Sequence, residues 1–335
     1  MNNQNTILNI KIEANDIEGR LDKCLAVKMS KDLSRADIKK LISLGNVSLN
    51  GLIVKPNHKV KSGDKITIIL EDKIAVKGLI ATDIPIDIIF EDNYILVVNK
   101  PAGLVVHPAA GHVDDTLVNA LSFYCKNLSD LNGPMKLGIV HRIDKDTSGL
   151  LVIAKDNKTH RDLASQFKKH TIEKTYIAIV QGNVNYDEGI IDEPLARSPF
   201  NRKKICVSHA SSREAITRYR VIKRFEKLTL LEAYPQTGRT HQIRVHMTYL
   251  GYPILGDNTY NKSQGIKGLI SRQALHAEKI RFKHPHSDKI VEFKVKMPND
   301  MREVLKNLKK QKDDSPSPRL WRTDRRSLAS TQKQL

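Results

Sequence analysis

The first quarter of the chain alternates between helix-spaced and strand-spaced apolar positions. One amphipathic helix is predicted to begin near Leu21, and a second, opened by a capping signature at Ser34, is predicted to end at Gly45. The pair Asn50-Gly51 is the strongest short hairpin signal and joins two short strands. A further strand is predicted at 65–70, so this segment is a helix pair followed by a small sheet.

From residue 86 onward, strand-like stretches dominate. Strands are predicted at 86–90, 94–98, 150–154, 175–181, 214–223 and 227–234, and helices at 157–169 and 240–250. Many strands follow one another without an intervening helix, so the predicted fold class is α+β, with a mixed, mostly antiparallel β-sheet flanked by helices. We expect an N-terminal module over residues 1–75 with its core at about 15–75, a linker at 72–85, a larger domain over 76–310 and a disordered basic tail over 311–335.

The charge balance points to a polyanionic partner. The 335 residues carry 56 Lys and Arg against 37 Asp and Glu, a formal net charge of +19. Nucleic acid is therefore the first partner to test, although a general bias toward lysine would give the same count. No apolar stretch approaches the roughly 20 residues of a membrane span, and the first residues lack the pattern of a secretory signal. Three widely spaced cysteines fit neither a disulfide framework nor a zinc site. From the missing span, the missing signal and these cysteines together, we expect a cytoplasmic protein without a membrane partner.

The densest polar cluster covers residues 138–149 and precedes the predicted buried strand at 150–154. Three interpretations compete: His141, Asp144 and Asp146 bind a metal, one of the two aspartates acts as a nucleophile or base, or the segment is a hydrogen-bonded turn. A metal is the least favoured, because no second carboxylate-rich cluster supplies further ligands. A turn and a catalytic aspartate are compatible with each other.

A second polar cluster covers residues 236–246. If the helix begins at Thr240, His241 and Arg244 share one face and could meet the carboxylate loop. An arginine beside a partly buried aspartate keeps that acid ionised, but a structural ion pair or a phosphate clamp would use the same residues. Tyr176, inside a predicted strand, is either a core residue or a functional one.

Basic residues collect near the predicted N-terminal helices: Arg20, Arg35, Lys39 and Lys40. They could receive RNA phosphates, and a solvated helix face would look the same. The surrounding motifs are, in order, Gly19 to Lys23, Leu33 to Arg35, Ile42 to Val47, Asn50-Gly51 and Gly63-Asp64. This series resembles the RNA-binding module of the ribosomal S-four type, and the resemblance implies contact with structured RNA.

The segment His141 to Leu151 resembles the signature of pseudouridine synthases of the RluA/RluC/RluD family. Four further motifs support it: Asn99 to Pro108, Lys174 to Tyr176, Thr237 to His246 and Arg272 to Ala277. The resemblance runs from about residue 15 to 305, and its details are most similar to the RluD branch. It implies the fold of a pseudouridine synthase catalytic domain behind an N-terminal α/β RNA-binding module.

The resemblance also implies a role for individual residues. Asp144 matches the catalytic aspartate, Tyr176 the active-site tyrosine, and Arg244 the basic residue that pairs with the aspartate. Arg142 matches an arginine that helps to flip the target base and fills the space that it leaves. RNA contacts are further expected from Arg239 and His241.

The predicted function is site-specific isomerisation of uridine to pseudouridine in large-subunit ribosomal RNA, either free or in an assembling subunit. We expect a monomeric enzyme that uses no cofactor and no metal. The aspartate could attack the ribose or the uracil ring, or assist the formation of a glycal. The alternatives are a catalytically silent RNA-binding assembly factor of the same fold, a synthase acting on another RNA such as tRNA, and a metal-dependent nuclease.

Overall fold

The computed structural model describes residues 6–13, 19–29, 35–70, 79–109, 111–201, 204–210, 212–261 and 269–308. The chain divides into two compact units, an N-terminal unit of Met1–Ala81 with Asp130–Leu137 and a larger unit of Thr82–Ser129 with Gly138–Leu335. The predicted tail at 311–335 lies outside the described residues, as do residues 72–78 of the predicted linker. Within the described part of the chain, no helix has the length and apolar character needed to span a membrane.

The N-terminal unit combines a helix pair with small antiparallel sheets. Its elements are β1 (Thr6–Lys11), β2 (Gly19–Arg20), α1 (Leu21–Lys28), α2 (Arg35–Ser43), β3 (Val47–Leu49), β4 (Leu52–Ile53), β5 (Lys59–Val60), β6 (Lys65–Leu70) and the 3-10 helix Pro134–Lys136. One sheet has the order β1-β6-β3-β4, and β2 pairs with β5. Leu21, Leu25 and Leu41 of the helices are buried in one apolar cluster with Ile66 and Ile68 of β6.

The predicted hairpin is confirmed, but one strand of its sheet was not predicted. Asn50 and Gly51 have φ angles of 51° and 82°, the left-handed conformation that a tight two-residue turn between β3 and β4 requires. Strand β1 lies before the predicted core at 15–75 and pairs with β6 over its whole length. Its alternating pattern was too short to stand out without its partner strand.

The larger unit is built on one nine-stranded sheet. Its elements are β7 (Asp87–Glu91), β8 (Ile95–Lys100), α3 (Leu117–Tyr124), β9 (Ser148–Ala154), α4 (Asn157–Lys168), β10 (Glu173–Gln181), β11 (Glu188–Asp192), β12 (Leu195–Arg197), β13 (Ile205–Val207), β14 (Ile216–Arg224), β15 (Leu228–Pro235), α5 (Gln242–Tyr249), β16 (Leu275–Lys283), β17 (Ile290–Lys294) and α6 (Asn299–Leu308). The order is β11-β14-β15-β10-β16-β9-β8-β7, with β17 beside β16.

The strand directions confirm the predicted fold class. Strands β9 and β16 run parallel, whereas the other neighbouring pairs of this sheet are antiparallel within the described residues. The unit is therefore α+β with a mixed, mostly antiparallel sheet. All seven residues of β9 are buried, as expected of a strand covered on both faces. The polar loop that precedes β9 is thus anchored in the core.

Two predicted element bounds were wrong beside polar segments. Strand β8 continues to Lys100 instead of ending at residue 98. Helix α5 begins at Gln242 rather than at Thr240, because His241 has a left-handed backbone with a φ of 56°, which cannot continue into a right-handed helix.

Candidate active site

A cavity of about 450 Å³ opens where the two polar clusters of the sequence meet. Strand β10, the loop before β9 and the start of α5 supply its walls. Six residues predicted to act in the site line it: Arg142, Asp144, Tyr176, Arg239, His241 and Arg244. Asp146, the other candidate aspartate, is not among the lining residues, and its backbone carbonyl accepts a hydrogen bond from Arg272.

Asp144 and Arg244 form a direct ion pair at the cavity wall. Arg244 Nη1 donates to Asp144 Oδ2 at 2.9 Å, and the arginine is buried while the aspartate side chain keeps 18% of its surface exposed. His241 Nε2 lies 3.9 Å from the other oxygen, Oδ1, which is beyond hydrogen-bonding distance. Among the described residues, Oδ1 accepts no hydrogen bond, so one carboxylate oxygen is held and the other is available to a bound molecule.

A second carboxylate, Asp257, fixes Arg244 from behind. Arg244 Nε and Nη2 donate to its two oxygens at 2.7 and 2.9 Å, a two-bond fork that orients the guanidinium plane. Burial works against both charges, but their mutual hydrogen bonds and attraction lower the pKa of Asp257 and, with the charge of Asp144, raise the pKa of Arg244. One cation thus lies between two carboxylates.

Tyr260 connects this charge cluster to its surroundings. The guanidinium of Arg244 lies 5.1 Å from the centre of the Tyr260 ring, a cation–π contact. The Tyr260 hydroxyl accepts the backbone N–H of Ile205 at 2.9 Å and lies 2.7 Å from His241 Nδ1. Neither Asp257 nor Tyr260 was predicted to act in the site, because both follow α5 in a loop where no periodic spacing relates them to Arg244. The available signal was an acidic residue directly after the apolar residues 253–255 and Gly256.

Strand β10 presents Lys174 and Tyr176 to the cavity. Burial, and to a smaller extent the charge of Asp144, raise the pKa of Tyr176 above its ordinary value, so its phenol is neutral at neutral pH. Burial lowers the pKa of Lys174 to about 8. The ammonium group of Lys174 has one hydrogen bond among the described residues, a long one of 3.3 Å to the carbonyl of Thr237.

The loop that carries Asp144 is held by buried hydrogen bonds. The Thr147 N–H donates to the Asp144 carbonyl at 3.1 Å, which closes a turn over residues 144–147. The turn was expected from the residue types at 146–149, but Ser148 and Gly149 already belong to β9. Lys100, 1% exposed, donates to the carbonyl groups of Pro101, Leu104 and Lys145 at 2.6, 2.8 and 2.8 Å. The turn interpretation and an accessible aspartate therefore hold for the same segment.

His141 supports the start of this loop through one of its ring nitrogens. Its Nε2 accepts the Val152 N–H at 2.9 Å, and its ring stacks on Phe167 with 4.5 Å between the centres. Burial lowers the pKa of His141 to about 3, so the ring is neutral. In the part of the chain that the structure describes, no group of three or more His, Cys, Asp or Glu side chains is placed to hold a metal ion.

Gly149 allows β9 and β16 to approach closely behind the site. Its φ is +117°, and a Cβ atom there would lie 2.2 Å from the carbonyl oxygen of Ala277. Beside it, Ser148 Oγ lies 2.9 Å from His276 Nδ1, so a hydrogen bond between side chains also joins the two strands. A side chain at residue 149 would push the parallel pair apart.

In the N-terminal unit, two of the predicted RNA-binding residues converge on one buried acid. Arg20 donates to both oxygens of Asp22 at 2.9 and 3.2 Å, and Lys39 Nζ lies 3.8 Å from the same carboxylate. Both basic side chains remain about half exposed, so they keep donors for an outside ligand. The side chains of Arg35 and Lys40 lie outside the described residues.

Comparison with known proteins places this site in a family. A family model for RNA pseudouridylate synthase matches residues 94–249, and one for the S4 domain matches residues 19–66. An uncharacterized RNA pseudouridine synthase of Bacillus subtilis, YlyB, is 43% identical over 87% of this chain and 94% of its own. The ribosomal large subunit pseudouridine synthase D of Zymomonas mobilis is 46% identical over 86% of this chain and 93% of its own. The chain belongs to the RNA pseudouridine synthase family.

These matches confirm the resemblance read from the motifs, including its likeness to the RluD branch. The solved structure of human RNA pseudouridylate synthase domain containing 1 shares the fold of the synthase, with a TM-score of 0.53 and 22% identity over 70% of this chain and 98% of that chain. The match at 94–249 includes Asp144, Tyr176 and Arg244 but ends before Asp257.

Proposed function

We propose that this synthase converts uridine to pseudouridine at specific positions of large-subunit ribosomal RNA. The observation that carries the proposal is the Asp144–Arg244 pair at the wall of a cavity large enough for a nucleoside. The net charge of +19 and the S4 domain suit a structured RNA. Relatives named ribosomal large subunit pseudouridine synthase D favour ribosomal RNA over tRNA.

The chemistry requires one charged carboxylate in a defined direction. The bond from ribose C1′ to N1 of uracil breaks, C1′ bonds to C5, the C5 proton leaves and N1 gains a proton, so no electrons are exchanged. Asp144 begins this sequence with Oδ1, whether by attack on the ribose, attack on the uracil ring or formation of a glycal. Arg244 pairs with that carboxylate and fixes its plane through Oδ2.

The other lining residues bind the flipped nucleotide. Tyr176, as a neutral phenol, stacks on the uracil ring and donates a hydrogen bond rather than acting as a resident base. Arg142 is exposed at the cavity and has no partner among the described residues, so it is free to fill the space that the base leaves. Arg239 and His241 contact the RNA backbone, which helps to offset the few kcal/mol lost on unstacking.

The decisive experiment maps pseudouridine in ribosomal RNA and tRNA before and after deletion of the gene. We expect specific large-subunit positions to lose the modification and to regain it with the wild-type protein. The Asp144→Asn variant keeps the shape of the side chain and removes its charge, so it should bind RNA yet lower turnover on the order of 10⁴-fold or more. Release of tritium from [5-³H]uridine RNA measures that turnover.

The neighbouring carboxylate supplies a matched control. Asp146→Asn removes an equal charge from the same loop but outside the cavity, so it should reduce turnover less than about tenfold. If deletion of the gene removed pseudouridine from tRNA and not from ribosomal RNA, the proposed substrate would be wrong. Restoration of pseudouridine by Asp144→Asn would contradict the proposed chemistry.

A further inference from the structure

A second cavity of about 400 Å³ adjoins the first one in the larger unit. The two cavities share wall residues, namely His170, Lys174 and Pro235. The second cavity lies along β10, β14 and β15, and its volume falls within the roughly 300 to 1,000 Å³ of small-ligand sites. It is therefore large enough for one nucleotide, adjacent to the nucleotide whose base is modified.

An aromatic ring and an arginine lie side by side on the wall of this second cavity. Tyr234 of β15 is the direct cross-strand partner of Arg218 of β14. The Tyr234 hydroxyl donates to Glu232, which also accepts hydrogen bonds from Arg220 at 2.6 and 3.1 Å, so the ring is fixed in place. Arg218 is exposed and has no hydrogen bond or ion pair among the described residues. A fixed ring beside a free guanidinium is the combination that binds single-stranded RNA.

The shared wall carries a cation that lacks a counter-ion. Lys174 is half-buried, burial lowers its pKa to about 8, and its single hydrogen bond to the Thr237 carbonyl is 3.3 Å long. A phosphate group at this position would supply the missing acceptors and charge.

The other charged groups of the second cavity are mostly paired with one another. Lys279 pairs with Glu292 at 3.5 Å, and Glu173 pairs with Arg281 at 3.2 Å. Glu188 also lines the cavity as an exposed acid. Lys174 and Arg218 are thus the two Lys or Arg side chains of this cavity without a carboxylate partner among the described residues, and Lys174 also lines the first cavity.

We propose that the second cavity binds the nucleotide adjacent to the target uridine, with its base against Tyr234 and the linking phosphate at Arg218. The inference rests on the proposed function, since it assumes a uridine bound in the first cavity. Enzymes that extrude a base read flanking nucleotides through such contacts, and these contacts offset the cost of unstacking. The second cavity would then contribute to the choice of sequence around the modified uridine.

The test uses a stem-loop fragment of large-subunit ribosomal RNA that contains a uridine found by the mapping experiment. Two further versions carry a neutral methylphosphonate directly 5′ or 3′ of that uridine. Filter retention measures binding across a salt series, and tritium release under single-turnover conditions measures isomerisation. Arg218→Ala should weaken binding of the unmodified fragment about tenfold and lower the slope of its salt dependence by about 1.

The position of the neutral phosphate decides which neighbour is bound. On one of the two methylphosphonate fragments, Arg218→Ala should not weaken binding any further, because the neutral group has already removed the ionic contact with Arg218. Lys227→Ala removes the same charge from the turn at the opposite end of the β14–β15 hairpin and should change neither binding nor slope. An Arg218→Ala effect that persists on both neutral fragments, or that equals the effect of Lys227→Ala, would overturn the proposal.

A second pair of variants tests the base contact. Tyr234→Phe keeps the ring and should bind as the wild type does, whereas Tyr234→Leu should bind about tenfold more weakly. On a fragment with an abasic neighbour, the two variants should bind alike. If Tyr234→Phe and Tyr234→Leu bound the intact fragment equally well, the neighbouring base could not lie against the Tyr234 ring. Failure of the proposed function would appear separately, as a wild-type protein that binds the fragment and releases no tritium.

Discussion

Replacement of Asp257 by Asn tests whether the direction of Arg244 matters for turnover. Asp257 is 1% exposed and does not line the cavity, yet it accepts two of the hydrogen bonds that Arg244 donates. Asn has nearly the same shape and can still accept the backbone N–H groups of Thr259 and Tyr260. Its amide group, however, presents donors to the guanidinium and carries no charge.

The expected magnitudes follow from these contacts. Loss of one partner of a buried ion pair costs about 3 to 5 kcal/mol, and because Arg244 keeps its bond to Asp144, we expect a loss of about 3 kcal/mol in the free energy of unfolding. A guanidinium released from the Asp257 fork can move by about 1 Å, and a misplacement of that size lowers turnover about 10²-fold. Because the side-chain hydrogen bonds of Arg244 go to Asp144 and Asp257, its loss of direction should disturb Asp144 rather than RNA binding, so kcat should fall while KM stays nearly constant.

Tritium release at saturating RNA, corrected for the folded fraction, measures the effect on turnover. Asp187→Asn is the matched control, since Asp187, directly before β11, pairs with the buried Arg224 at 2.7 Å and lines neither cavity. This control should lose stability but retain kcat. An equal kcat per folded molecule in Asp257→Asn and the wild type would refute the positioning role.

The pH dependence of stability gives a second measure of the same residue. The pKa of Asp257 is lowered in the folded protein, against about 3.9 for an aspartate in an unfolded chain. Its contribution to stability is therefore complete above about pH 5 and is lost as the pH falls through the lowered folded value. The difference in unfolding free energy between the wild type and Asp257→Asn should be constant near neutral pH and shrink below about pH 4.

Two further substitutions test the scaffold behind the site. Lys100→Met removes a donor from three partly buried carbonyl groups, of which that of Lys145 keeps another donor, the N–H of Gly103. It should cost about 2 kcal/mol in denaturant unfolding and lower turnover because the Asp144 turn loosens; unchanged stability would mean that the carbonyls of Pro101 and Leu104 find other partners. Gly149→Ala places a methyl group 2.2 Å from the Ala277 carbonyl and should cost several kcal/mol, whereas Gly251→Ala, at φ +85° with nothing within 4 Å, should cost only about 1 to 2 kcal/mol. Equal thermal stability of the two alanine variants would rule out the steric explanation.

The pattern of the sequence was sufficient for the elements that have a strong local signal. Helix α4, the β3–β4 hairpin and the strands β14 and β15 lie within two residues of their predicted bounds, because amphipathic periodicity and turn residues are local properties. Strand β1 and the parallel pairing of β9 with β16 depend on partners distant in the chain, so no local pattern could show them. The close approach at Gly149 is likewise visible only when both strands are placed.

The sequence identified the motif residues of the candidate site, but it did not identify the residues that hold them in position. Asp144, Tyr176 and Arg244 stand in recognisable motifs, and the structure brings all three to one cavity. Asp257 and Tyr260 act on Arg244 through geometry alone, since the loop after α5 has no helical or strand period that would relate them to it. Physical chemistry did demand a counter-charge for a buried arginine, but the identity of that acid depends on the path of the loop.

The arrangement of charge explains how a polyanion can approach a carboxylate. Asp144, Arg244 and Asp257 together carry one net negative charge, which by itself would repel the phosphates of RNA. Four further cations line the same cavity without a carboxylate partner among the described residues, namely Arg142, Lys168, Lys174 and Arg239. Phosphates can therefore bind at the rim while only the sugar and the base, which are neutral, reach Asp144. Under the proposed function, the reacting carboxylate of Asp144 and the attraction for the substrate are separated in space, so a strong anion-binding surface does not neutralise that carboxylate.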